Sequence, residues 1–145
     1  MTSSEALGLF ESQVKRACSG LGIKVLRAPL ALQEPGLCLR ILPRKVQPLA
    51  RTTHERETVQ KALVLSLLLS GRIDSDTALR VYLQTCDRML DIISTVSRLE
   101  DGTAQPIPNS RIVWSPGAED AVFEDPSDDR LVWAREEWRV TIYIP

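Results

Sequence analysis

The sequence predicts an α+β fold: a mixed, mainly antiparallel sheet packed by an N-terminal helix and one long central helix, in a single domain over residues 1–145. Three observations carry this expectation. Residues 3–19 and 76–99 each repeat apolar side chains at three- and four-residue spacing, the period of a helix with one buried face. Residues 37–42, 60–70 and 138–144 instead alternate with period two, as a pleated strand does. A length of 145 residues suits one ordinary domain with a core of its own, with no need of disulfides or a structural metal.

The first helix opens on Thr2 and Glu5, a T-x-x-E pair in which each side chain satisfies an orphan backbone N–H of the other. Leu7, Phe10, Val14, Ala17, Cys18 and Leu21 make its apolar stripe, and Gly20 and Gly22 end it in the left-handed conformation. Residues 23–26 form a short strand, after which Pro29, Pro35 and Gly36 interrupt regular structure. In 37–42, Leu37, Leu39 and Ile41 alternate with Cys38 and Arg40. Pro43 and Pro48 then keep this strand from being central along its whole length, because proline donates nothing to a ladder.

Residues 60–70 are the clearest strand, with a leucine-rich helix as the rival reading because leucine is a good helix former. Leu63, Leu65, Leu67 and Leu69 take one face, with Ala62, Val64, Ser66 and Leu68 on the other. Two mostly apolar faces predict a central strand covered on both sides and ended by Gly71. Asp74, Ser75 and Asp76 supply caps and a negative first turn for the long helix. Its predicted core stripe is Leu79, Leu83, Cys86, Leu90, Ile93 and Val96, flanked by Tyr82 and Met89, and Asp101-Gly102 closes it. Beyond a proline-containing loop at 105–110, residues 111–114 make a strand. Residues 115–129 read as an acidic loop, and 131–133 with 138–144 as a final hairpin.

Composition narrows the function more than any motif does. A charged fraction of 26% with a net charge of −1 fits a folded globular chain and gives no bulk attraction to nucleic acid. Cys18, Cys38 and Cys86 are odd in number and widely spaced, so they read as small hydrophobes in a reducing compartment. We expect no secretory leader, and the longest apolar run, 62–69, is too short to cross a bilayer. The one histidine, His54, lies among Thr52, Thr53, Glu55 and Arg56 and has neither a nucleophile nor a metal-ligand partner beside it. No phosphate-binding glycine loop or metal-ligand spacing occurs. We therefore expect no catalytic residue, no metal and no cofactor, and a chain that is not an enzyme.

Two segments stand out by charge. Residues 40–61 carry Arg40, Arg44, Lys45, Arg51, Arg56 and Lys61 against Glu55 and Glu57. Residues 115–129 carry Glu119, Asp120, Glu124, Asp125, Asp128 and Asp129 with no basic residue. Each reads either as a solvated surface or as a contact. The basic stretch lacks the interleaved aromatics that a single-stranded nucleic acid would stack upon. Opposite charges on one nearly neutral chain fit a head-to-tail subunit boundary of the kind that closes into rings. The expected interface residues are Arg44, Lys45, Arg51 and Arg56, with Glu124, Asp125, Asp128 and Asp129 opposite.

The run LRILPRKVQPLARTTHERETVQKALVLSLLL, the helix DTALRVYLQTCDRMLDII and the closing EWRVTIYIP resemble the tail terminator and tail completion proteins of tailed bacteriophages, over residues 5–145. In that family an N-terminal helix precedes a mixed sheet, a loop with proline and arginine leads into a central strand, and a long helix packs on the sheet. The last strand there ends in an aromatic such as Tyr143. The acidic segment and the doubly apolar central strand are not family features. The resemblance implies a structural virion protein, assembled in the host cytoplasm and located in the tail-neck region. It implies a homo-oligomeric ring, commonly a hexamer, that ends tail tube polymerisation. Its partners would be the tail tube protein and a head-tail connector or neck protein, with passing contact to DNA in the lumen and no membrane. The alternatives are a head-completion or neck protein and a small ligand-binding regulatory α+β domain. For the latter, Trp133 and Trp138 flank Arg135-Glu136-Glu137 and could line a pocket.

Overall fold

The computed structural model describes residues 1–27, 37–49, 60–117, 121–125 and 128–145, with the side chains of 26, 27, 60, 121–125 and 128–133 left aside. The fold is α+β. In chain order the elements are α1 (Ser3–Ala17), β1 (Lys24–Arg27), β2 (Cys38–Leu49), β3 (Gln60–Ile73), α2 (Asp76–Thr95), β4 (Arg111–Pro116), β5 (Ala121–Asp125) and β6 (Asp128–Ile144). The sheet runs β1-β2-β3-β6-β4, with β5 pairing β6 beyond β4. Only β1 and β2 are parallel. The other pairs are antiparallel, so the sheet is mixed and mainly antiparallel.

Helix α1 begins where the capping pair requires. Thr2 Oγ1 accepts from the Glu5 amide at 3.1 Å and the Thr2 amide donates to Glu5 Oε2 at 3.2 Å. Gly20 and Gly22 follow its end with φ of 87° and 68°, values that cost a side-chain-bearing residue and suit glycine. Phe10 and Val14 are buried, and Gln13 ties the helix to the chain after α2, donating to the Arg98 carbonyl and accepting from the Glu100 amide at 3.2 Å each. An ion pair between Arg16 and Glu100 at 3.0 Å reinforces the join.

Strand β2 carries both prolines. It is flanked on both sides only at Cys38–Ile41, where β1 pairs it. From Leu42 onward one edge is unpaired among the described strands, so Pro43 and Pro48 have no ladder on that side to interrupt. A register shift between Pro43 and Lys45 bulges Arg44 out of the β2–β3 ladder. Burial changes at the same point: Leu39 and Ile41 are fully buried, while residues 43–48 are exposed.

Strand β3 is central, between β2 and β6, and runs through Gly71 to Ile73. Leu63, Leu65, Leu67 and Leu69 all face the core. The second face departs from expectation. Val64 and Leu68 are half-buried and do not belong to the core cluster, which gathers both helices on the leucine face. Among the described residues no element covers that second face. That face carries no second core cluster among the described residues, although Ala62 and Ser66 on it are buried.

The end of the chain also differs from the sequence reading. The expected acidic loop contains the end of β4, the whole of β5 and the start of β6. The expected hairpin is one continuous strand of 17 residues, β6. It pairs with β3 along one edge, and with β4 and then β5 along the other. The polar run 135–137 resembles a turn but stays extended, with its two consecutive carboxylates finding partners on opposite faces. Glu136 accepts from Cys86 Sγ at 3.1 Å, and Glu137 accepts from Ser66 Oγ at 2.9 Å. Past the end of β4, the Gly117 amide donates to the Glu137 carbonyl at 3.0 Å. A Cβ at Gly117 would lie 2.3 Å from that oxygen, so only glycine fits there.

Helix α2 has its expected start, with Ser75 Oγ accepting from the Ala78 amide at 3.1 Å. Its orientation is rotated from the expected one. Tyr82, Thr85, Met89 and Ile92 are buried, whereas Leu79, Leu83 and Leu90 are 42%, 52% and 61% exposed. Of the predicted core stripe, Leu79, Leu83 and Leu90 form a surface flank, while Cys86, Ile93 and Val96 are half-buried and pack against the core, and Tyr82 and Met89, expected to flank the stripe, point inward. Thr85 tolerates burial because its hydroxyl donates to the Val81 carbonyl at 2.7 Å, leaving no unsatisfied polar group.

Candidate interaction surfaces

The most organised polar feature lies on the sheet face opposite the two helices. The register places Ser66 of β3 opposite Arg139 of β6, and the bulge at Arg44 turns that guanidinium toward them. Arg44 Nε donates to Ser66 Oγ at 2.9 Å, and Ser66 Oγ donates to Glu137 Oε1 at 2.9 Å. Arg139 Nε donates to the same carboxylate oxygen at 2.9 Å, with Arg44 Nη2 at 3.9 Å. Beside this network the Arg111 guanidinium stacks 5.0 Å above the Tyr143 ring. Glu137 is only 7% exposed. Burial raises its pKa, but the hydrogen bonds from Arg139 and Ser66 and the charges of Arg139 and Arg44 outweigh it, so the carboxyl sits below the ordinary value of 4.5.

This sign fixes a pH dependence. A carboxylate with a lowered native pKa adds stability that is fully present above its unfolded value and is lost as pH falls through the native one. Replacing Glu137 with Gln is therefore expected to lower stability at neutral pH. The gap from the wild type should close steadily as pH drops below about 4.5. Urea unfolding of both proteins from neutral to acid pH measures it. A gap that does not change with pH would show that the carboxylate's charge is not what holds the network.

The sequence-predicted contact residues divide by position. Arg44 is half engaged in the network, with 46% of its side chain exposed, and Lys45 beside it is exposed. Arg51 and Arg56 lie outside the described residues, as does His54. Glu124 and Asp125 belong to β5 and Asp128 and Asp129 open β6, where Asp125 pairs with Asp128. Among the described residues, the register sets Lys45 well apart from the acidic segment. Lys45 is level with Thr141 through Val64, whereas Glu124 is level with Val132. At about 3.3 Å per residue, that separates the basic and acidic segments by roughly 30 Å along β6.

The cysteines are free: Cys18 and Cys38 buried, Cys86 half-buried. Burial first, then the hydrogen bond and charge of Glu136, push the Cys86 thiol up to about 12. It is thus protonated at neutral pH and a poor nucleophile or ligand. Among the described residues no group of three or more His, Cys, Asp or Glu side chains could hold a metal ion.

An open cleft of about 210 Å³ runs between α2 and the β4 edge, lined by Ile93, Trp114, Ser115, Pro116, Glu137 and Trp138. Trp138 lines it as anticipated, while the Trp133 side chain lies outside the description. The indole N–H of Trp114 is already spent on the Val96 carbonyl at 2.9 Å, and the Glu137 carboxylate is held on the other face. The cleft is thus an apolar groove with few groups to orient a small polar ligand.

Sequence reasoning missed Ser66, Glu137 and Arg139. The available signal was Ser66 itself, a hydroxyl in the middle of a leucine run. The exposed leucine flank of α2 was missed as a surface altogether. Among the described residues no helix is long and apolar enough to cross a membrane. The chain matches no protein-family model and no curated protein.

Proposed function

We propose that this chain is a ring-forming structural protein of a phage virion, a tail terminator that ends tail tube polymerisation and offers the joining surface for the head. The observation that carries the reading is the separation of charge along one sheet. The bulged, basic part of β2 lies roughly 30 Å along β6 from the acidic β5 and the start of β6. A subunit with opposite charges at opposite ends is complementary to its own copy head to tail, and contacts of that kind close into rings. The element order expected from the resemblance supports the same reading. The virion location and the partners, a tube protein on one side and a connector or neck protein on the other, belong to this proposal.

Native mass spectrometry of the purified chain, alone and with tube protein, tests it. A closed ring, expected to be a hexamer, should form and should cap tube protein. Its assembly should weaken as salt approaches about 1 M, where the Debye length is roughly 3 Å. Lys45→Glu with Arg51→Glu should impair the ring while leaving a folded monomer, and adding Asp128→Arg and Asp129→Arg should partly restore it. A strict monomer that ignores tube protein would sink the proposal.

A further inference from the structure

We infer that the exposed flank of α2 is a self-docking seam, on which α2 of a second copy of this chain lies antiparallel. Leu79, Leu83 and Leu90 are large apolar side chains left 42%, 52% and 61% exposed on a helix whose core stripe is otherwise complete. With half-buried Cys86 they follow four-, three- and four-residue steps, the a/d spacing by which one helix receives another. Ile93 continues the series by one more three-residue step. It also lines the apolar cleft with Trp114, Pro116 and Trp138, so seam and cleft are one continuous surface.

The charges beside the seam select both partner and direction. Exposed Arg80 and Asp87 each follow a seam residue, Leu79 and Cys86, and so border the seam on the solvent side. Tyr82 and Met89, which border it on the other side, are buried against the sheet. In a parallel pair Arg80 and Asp87 would face those buried positions and find no partner. In an antiparallel pair about a two-fold axis near Gln84, Leu79 meets Leu90 of the second copy and Leu83 meets Cys86. Arg80 then lies beside Asp87 of the second copy, twice over by symmetry. The flank is thus complementary to itself in one orientation. The seam from Leu79 to Leu90 is about 16 Å long, and at a helix width of about 10 Å it covers on the order of 160 Å², well below the roughly 800 Å² per partner that stable complexes bury, so the pairing is weak and reversible. It is isologous, joins copies in twos and closes no ring, and it stands independently of the head-to-tail contact proposed above.

Sedimentation velocity on the full chain, from low to high micromolar concentration, reads this directly. A mass-doubling step is expected, of the monomer or of the ring where a ring forms. Leu83→Glu and Leu90→Glu should each abolish that step while far-UV circular dichroism and the melting midpoint stay near wild type. Arg80→Glu and Asp87→Arg should each weaken it by about tenfold. An equimolar mixture of those two variants should recover it, because each copy then meets the opposite charge at both positions. No doubling in the wild type, or doubling that survives Leu83→Glu, overturns the seam, and another protein on this flank would give that result. Doubling without any ring leaves the seam standing and counts only against the ring.

Discussion

Deleting residues 138–145 is expected to leave no folded protein. Every β4 residue from Arg111 to Pro116 finds its partner between Trp138 and Tyr143, and β3 loses its partners from Lys61 to Leu67. Trp138, Val140, Ile142 and Ile144 are buried on the helix-covered face. At roughly 1.5–3 kcal/mol each, four such side chains contribute about as much as the 5–15 kcal/mol by which a domain of this size exceeds its unfolded state. The newly unpaired backbone groups of β3 and β4 add to the loss. Far-UV circular dichroism and amide dispersion should report a collapsed or unfolded chain, and proteolysis should be rapid. A cooperative thermal transition in the truncated protein would mean that the β1–β2–β3 half and its helices form a core without the second half of β6.

How much of this was legible depends on whether the deciding contact was local. The capping pair of Thr2 and Glu5 spans three residues and could be read directly. The leucine alternation of β3 marks a central strand from within one segment. The effect of Pro43 and Pro48 followed from proline's missing donor, and among the described strands β2 does become an edge past Ile41. What could not be read were preferences settled by distant partners. The charged run 135–137 resembles a turn until Ser66 and Cys86, 71 and 50 residues from their acceptors, are brought beside it. The same holds for the sheet face opposite the helices. Alternation says that β3 has two faces, but only the placement of α1 and α2 on one of them decides which is core. Of the candidate contact residues, sequence marked the charged segments by composition. It gave no sign that Arg44 is partly spent inside its own chain.

A charge scan along α2 should separate its two stripes sharply. Met89 is fully buried, in contact with the sheet's leucine face through the core. Met89→Asp would place a carboxylate there with no cation arranged to receive it, and such burial costs about 4 kcal/mol or more. That is a large part of the whole stability, so the variant should be insoluble or molten. Leu83→Asp and Leu90→Asp change positions more than half exposed, where substitutions usually fall within about 0.5 kcal/mol. Both should fold and melt near the wild type. Periodicity favoured the opposite outcome because the leucine stripe is the more apolar of two adjacent stripes. Thr85 makes the other one look polar until its hydroxyl is seen to bond the Val81 carbonyl at 2.7 Å. Chemical denaturation of the three variants decides the orientation of the helix. A folded Met89→Asp beside unfolded leucine variants would turn α2 about its axis. It would also return Leu79, Leu83 and Leu90 to the core, and with them the surface on which the antiparallel pairing depends.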